Sequence, residues 1–175
     1  LIKAKKENQP DWEQLFDKFS GSFIQQINTL STIATEFSNF AKMPTSKPEH
    51  LSILNLLEES VTLFSSYPNI EISLSNKTER SLTVNADKEQ LQRVFVNLLK
   101  NSIQAIPRGE KGVIAVSLTH IKNKVLIKVT DNGIGMPEHV QEKLFSPNFT
   151  TKSGGMGLGL AMSKEIIENM GGKIW

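Results

Sequence analysis

A chain of 175 residues, 38% hydrophobic and 22% charged, has room for one ordinary domain with one appended element and enough apolar residues to bury a core, which excludes a disordered chain. Its 20 basic and 18 acidic residues are interspersed, so the net charge of +2 provides no clustered basic face and nucleic acid is not expected as a partner. The absence of cysteine excludes disulfides and thiolate metal sites, and the three histidines show no metal-ligand spacing. No uncharged apolar run nears the ~20 residues of a membrane span or forms a signal segment, which fits a cytosolic setting.

From Asp11 to Lys42 the pattern predicts a helix. Trp12, Phe16, Phe19, Phe23, Ile27, Leu30, Ala34, Phe37 and Ala41 recur at steps of three and four, with one glycine and no proline. Such a helix is on the order of 45 Å long, more than a compact domain of this size can cover, so part of its stripe is expected to meet another helix in a bundle or coiled coil. The alternative is an ordinary core helix. Met43 to Pro48, with two prolines, reads as a linker and domain boundary. Leu51 to Phe64 then shows helical spacing through Leu54, Leu57, Val61 and Phe64, with Glu58 and Glu59 outward. Ile70 to Leu74 alternates as a strand and Leu82 to Val84 does so weakly.

Asp87 is an N-cap candidate with Gln90 three residues on, and Leu91, Val94, Phe95 and Leu98 form the expected buried face of the helix that follows. Asn97 and Asn101 lie one turn apart on that helix, on a face bordering the apolar stripe. Asparagine is a mediocre helix former, so the pair suits a polar constellation at a pocket; two solvated side chains are the alternative.

Val113 to Thr119 and Val125 to Thr130 read as a hairpin across the polar break from His120 to Lys124. The second strand runs into Asp131-Asn-Gly133-Ile-Gly135-Met136. Asp-Asn-Gly is also a common hairpin turn, but Pro137 to Phe145 after it reads as a short Pro-started helix and not as a third strand. A carboxylate at a strand end facing a cavity can accept a hydrogen bond from an exocyclic amine, and glycines at 133 and 135 leave out β-carbons that would block a flat base. Further on, Phe149-Thr150-Thr151-Lys152 precedes the glycine-rich run from Gly154 to Gly159, and helical spacing begins at once through Met162, Ile166, Ile167 and Met170 before Gly171-Gly172 stops it. Glycines leading into a helix start expose backbone N–H groups to anions, and Lys152 can reach a terminal phosphate as a point charge. The run is no dinucleotide fingerprint, since read from Gly155 the third glycine position is Leu160. Nor is it a P-loop, because no Gly-Lys-Ser/Thr follows.

Four of these motifs, in this order, resemble the catalytic ATP-binding domain of a sensor histidine kinase of the GHKL superfamily. Asn97-Leu-Leu-Lys-Asn101-Ser-Ile-Gln-Ala105 is similar to its N box, Asp131 to Gly135 to its first glycine box, Phe145 to Phe149 to its phenylalanine box, and Gly155-Met-Gly157-Leu158-Gly159-Leu160 to its second glycine box. Glu36 to Pro44 and the Phe149-to-Lys152 lid resemble the nitrogen-regulation class. The resemblance implies an α/β (α+β) two-layer sandwich, a mixed sheet packed on helices, in residues 46–175. Residues 1–45 would be the second helix of a dimerisation hairpin plus linker. It further implies ATP and Mg²⁺ as cofactors. Asp131 would hold the adenine amine, Asn101 the metal, and Asn97 the metal and phosphate shell. Lys152 and the amides from Gly155 to Leu160 would hold the phosphates, and Met136, Phe149, Thr150 and Thr151 would lie against the nucleotide.

Hydrolysing relatives such as gyrase and mismatch-repair ATPases place Glu where Asn97 stands. An amide cannot serve as a base for water, so the resemblance implies phosphoryl transfer, with Asn97 and Lys152 acting on the transferred group. The expected acceptor is a histidine on another helix, relaying to a response regulator. His50, His120 and His139 lack the family's His-Glu…Asn-Pro context, so that phosphoacceptor helix is expected upstream of Leu1, and closing strands after Trp175. A homodimer through the N-terminal helix and a full-length protein anchored in the bacterial inner membrane are implied as well. The alternatives are a degenerate GHKL module that binds nucleotide only as a switch, and a structural coiled-coil dimer.

Overall fold

The computed structural model describes residues 12–41, 46–78, 82–152 and 155–175. They fall into two compact units, one comprising residues 12–41 with 150–152 and 155–156, the other residues 46–78, 82–149 and 157–175.

In the first unit the three-and-four spacing produces one uninterrupted 30-residue helix, α1 (Trp12–Ala41). Polar side chains within it turn back onto the helix, Ser20 Oγ donating to Phe16 O (2.7 Å) and Thr29 Oγ1 to Gln25 O (2.9 Å), so they do not compete with its ladder. Trp12 and Phe16 meet edge to face at 6.4 Å. Phe16, Phe19, Phe23, Ile27 and Leu30 are each half or more exposed, at 51, 57, 65, 50 and 63%. The side chains of Phe37 and Ala41 lie outside the described residues.

The second unit begins with strand β1 (Glu49–Ser52), where sequence spacing predicted the start of a helix. Pairing decides the difference. β1 runs antiparallel to β3 (Thr83–Ala86), with Leu51 opposite Val84, and Ser52 then caps helix α2 (Ile53–Thr62), its Oγ accepting from Asn55 N. Lys88 to Ala105 form helix α3, capped as expected by Asp87, whose Oδ1 accepts from Gln90 N at 2.9 Å. Its buried face is Leu91, Val94, Phe95 and Leu99; Leu98, expected there, is only half-buried.

The main sheet has the order β2 (Ile70–Asn76), β4 (Gly112–Ile121), β5 (Lys124–Asp131). β2 and β4 are parallel and connected through β3 and α3, while β4 and β5 form an antiparallel hairpin closed by the two-residue turn Lys122–Asn123, so the sheet is mixed. The inward residues of β4, Ile114, Val116 and Leu118, are at most 2% exposed and belong to one core cluster with Leu56, Leu57, Phe64, Leu91, Phe95 and Leu99 from the helical side. That is a two-layer sandwich. After β5, only Glu138–Gln141 form a helix (α4) in the Pro-started segment, and α5 (Gly159–Asn169) follows, packed on α3. Gly171, at φ +75°, and Gly172 end α5, their N–H groups donating to Glu168 O and Ile167 O at 2.9 Å each. Residues 172–175 form no strand.

Candidate nucleotide site

Helix α3 is the spine of the site. It is fixed at its start by Asp87, which is 7% exposed and whose second carboxylate oxygen accepts the Lys47 N–H at 2.7 Å. These backbone N–H donors, from Lys47 first and Gln90 next, hold the Asp87 carboxyl below its usual range by favouring the charged form. The linker end and the helix start are thereby held by one carboxylate.

At the other end, Ala105 O accepts the Ile134 N–H at 3.0 Å, docking the loop after β5 onto α3. The same loop is pinned to β4 by Asn132, whose Oδ1 accepts from Val113 N (2.8 Å) and whose Nδ2 donates to Lys111 O (3.0 Å). Asp131 Oδ1 accepts the Gly133 N–H at 3.0 Å, and the carboxylate is exposed. Asp-Asn-Gly is therefore no hairpin turn: the strand ends there, and its backbone is taken up by a helix end and a neighbouring strand.

The two glycines of this loop do different things. A β-carbon at Gly133 would lie 2.7 Å from both the Cβ and the carbonyl oxygen of Ala105, so the bare Cα is required by the close approach of α3, a reason different from the flat base expected from the sequence. Gly135 meets nothing within 4 Å and instead adopts φ +68°, a conformation suited to glycine. Beside it Met136 is 48% and Ile134 80% exposed, and the Met136 carbonyl accepts from Gln141 Nε2 at 2.8 Å.

Half-buried Asn97 and Asn101 project from the middle of α3 one turn apart. Asn97 meets the start of α5. Its Nδ2 donates to Ser163 Oγ (2.9 Å), and Ser163 Oγ donates to Gly159 O (2.9 Å). A β-carbon on Gly159 would sit 2.6 Å from Asn97 Oδ1. One turn earlier, Arg93 Nη1 approaches Met162 Sδ at 3.6 Å. Among the described residues no side chain caps the N-terminus of α5. Gly157, at φ +67°, packs directly on the Phe149 backbone, and Leu158 is buried at 5% exposure, holding the loop in the protein. Thr150, Thr151, Lys152 and Gly155 belong to the first unit. There Lys152 N donates to Thr150 Oγ1 at 3.1 Å.

The structure thus gathers Asn97, Gly159 and Ser163 around the α3–α5 contact, places Asp131, Gly133, Gly135 and Met136 in the β5–α3 junction and the loop after it, and joins Phe149 to Gly157. Sequence reasoning missed Ser163, 2% exposed. Its one signal was its position four residues after Gly159 on the expected helix. Ala105 and Asn132, which hold the Asp131 loop, were missed as well.

Asn97, Asn101 and Asp131 carry oxygen atoms of the kind that a nucleotide's amine and a hard cation take. Among the described residues no group of three or more His, Cys, Asp or Glu could hold a metal. Mg²⁺ characteristically keeps waters and substrate phosphates as ligands and takes only one or two from protein.

The fold and these motifs define an ATPase of the histidine kinase type. The chain belongs to the family of histidine kinase-, DNA gyrase B- and HSP90-like ATPases, which matches residues 86–175, just over half of the chain. It is 33% identical to sporulation kinase B of Bacillus subtilis (strain 168) over 93% of its own length and 39% of that protein's. It is also 30% identical to the nitrogen regulation protein NtrY of Azorhizobium caulinodans, over 92% and 21%. Among solved structures, the catalytic domain of histidine kinase ThkA is 37% identical with a TM-score of 0.67, covering 74% of this chain and 86% of that one. ThkA in complex with the response regulator TrrA matches at 31% and 0.73, covering 91% and 46%. The chain spans about two fifths or less of the curated relatives named here. Among the described residues no helix is long and apolar enough to cross a membrane.

Proposed function

We propose that this chain is the ATP-binding kinase part of a two-component sensor histidine kinase, handing the γ-phosphate of ATP to a histidine on a separate phosphoacceptor helix for relay to a response-regulator aspartate. The observation that carries this reading is the contact of Asn97 with the uncapped start of α5. An amide sits where the phosphates would lie, and an amide can orient a phosphoryl group but cannot take a proton from water. Asp131 accepts the adenine amine, Gly135 and Met136 border the base, and Asn101 offers its amide oxygen to Mg²⁺. The first N–H groups of α5 bind phosphate oxygens, and Lys152, Thr150, Thr151 and Gly155 are further residues that we assign to nucleotide binding. Bound Mg²⁺ neutralises phosphate charge.

We assign residues 1–45 to the second helix of a dimerisation hairpin plus linker, and residues 46–175 to the catalytic domain. The response-regulator partner rests on the ThkA–TrrA complex, and anchoring of the whole protein in the bacterial inner membrane rests on its likeness to sensor kinases.

The test combines this chain, labelled ATP and a separately made phosphoacceptor helix carrying the histidine. Acid-labile phosphate on that helix is expected, lost in Asn97→Ala. Release of phosphate to water with none on the helix, or nucleotide binding with neither, would overturn the assignment.

A further inference from the structure

Ser163 serves no purpose in the site as described so far, yet it is nearly fully buried and makes two hydrogen bonds of opposite sense. A serine hydroxyl has one proton and two lone pairs. The proton of Ser163 is committed to the carbonyl of Gly159, the first residue of α5. Only a lone pair remains for Asn97, and only the Nδ2 end of that amide can face a lone pair. The hydroxyl therefore selects one of the two flip states of Asn97 and sets its Oδ1 at the first turn of α5, in the space that Gly159 leaves by having no β-carbon. The flipped amide would present N–H groups there, which repel a cation and cannot accept from backbone N–H.

We propose that Ser163 is a positioning residue for nucleotide binding and transfer, which fixes the orientation of the Asn97 amide through the relay Gly159 C=O, Ser163 hydroxyl, Asn97 Nδ2. The proposal rests on the reading of Asn97 as a nucleotide-site residue. It makes α5 and α3 report to each other. A phosphate on the N-terminus of α5 and a metal–phosphate group at Asn97 share one hydrogen-bonded chain, so displacing either end misorients the other.

The test uses the whole chain and three variants, Ser163→Ala, Ser163→Thr and Asn97→Ala, with Ser163→Ala also made on the Asn97→Ala background. Without nucleotide, the Asn97 side-chain amide should give a resolved, exchange-protected proton pair by NMR. That pair should collapse toward free-amide positions in Ser163→Ala and return in Ser163→Thr. In calorimetry, the gain in ATP affinity on adding Mg²⁺ should fall about tenfold in Ser163→Ala, the worth of one oriented hydrogen-bonding group. Transfer to the phosphoacceptor helix should fall about ten- to a hundredfold, since a misplacement on the order of 1 Å has that effect. On the Asn97→Ala background, Ser163→Ala should change neither quantity more than about twofold, because residues acting as a unit are not additive.

An unchanged Asn97 amide in Ser163→Ala, or equal losses on both backgrounds, overturns the proposal. A collapsed amide in Ser163→Ala together with normal Mg-ATP binding and transfer in Asn97→Ala would instead overturn the site reading and leave the relay as structure only.

Discussion

Alanine at Gly133 and at Gly135 separates two physical reasons for glycine within one loop. At Gly135 an added β-carbon meets nothing, so the cost is the left-handed backbone at φ +68° alone, about 1 kcal/mol for a single alanine. At Gly133 the β-carbon would stand 2.7 Å from the Ala105 carbonyl oxygen and Cβ and 2.8 Å from its carbonyl carbon, against ~3.5–4.0 Å for ordinary contact. Backbone lies on both sides, so the contact is relieved only by undocking the loop from α3. That loses the Ile134 N–Ala105 O bond, ~0.5–1.5 kcal/mol, and adds overpacking strain of ~1–3 kcal/mol. Gly133→Ala should therefore destabilise the catalytic unit by about 2–4 kcal/mol in urea unfolding and carry Asp131 away from its position, weakening ATP binding. Gly135→Ala should cost about a third of that. Equal stability of Gly133→Ala and wild type, within ~0.5 kcal/mol, would mean that the loop does not rest on α3 as described.

The Asp87 carboxyl is held below its ordinary range by the Lys47 and Gln90 N–H groups. Its stabilising contribution is thus complete above the ordinary carboxylate pKa, ~3.9, and is lost as pH falls through the lower folded value. Asp87→Ala should cost about 2 kcal/mol at neutral pH, from a lost cap and a lost linker bond, and its unfolding free energy should vary less with pH below about 4 than that of wild type; parallel pH profiles would refute this. On α1, the exposed Phe16, Phe19, Phe23, Ile27 and Leu30 should drive self-association at micromolar protein, each apolar side chain gaining ~1.5–3 kcal/mol on full burial. Sedimentation should show dimers or larger species that Phe19→Glu with Phe23→Glu returns to monomer, and a monomeric wild type would contradict the pairing.

Elements whose cause is local were legible in the sequence. Asp87 with Gln90 marked the start of α3, the three-and-four spacing marked α1, and the glycines marked both ends of α5. What remained hidden depends on partners distant in sequence. Glu49–Ser52 form a strand because Thr83–Ala86 pair with them, and Leu51 looks helical only until Ser52 is seen to cap. Leu99 replaces Leu98 at the core because one residue is about 100° of helix rotation, and the packing of α3 on sheet and helices sets which side faces in. In the site, residue types marked Asp131, Asn97 and the glycines as candidates. Ser163, Ala105 and the Lys47 N–H act through backbone groups and close approaches that no residue type marks.

Asp131 is the residue on which recognition of the base turns in the proposed site. The adenine amine would have this carboxylate as its charged acceptor, and a charge-assisted hydrogen bond of ~1.5–3 kcal/mol corresponds to roughly ten- to a hundredfold in affinity. Calorimetric titration of Mg-ATP into wild type and Asp131→Ala measures it. The prediction is binding in the wild type, weakened about ten- to a hundredfold in Asp131→Ala with the fold intact by circular dichroism; the same affinity in both proteins would contradict it.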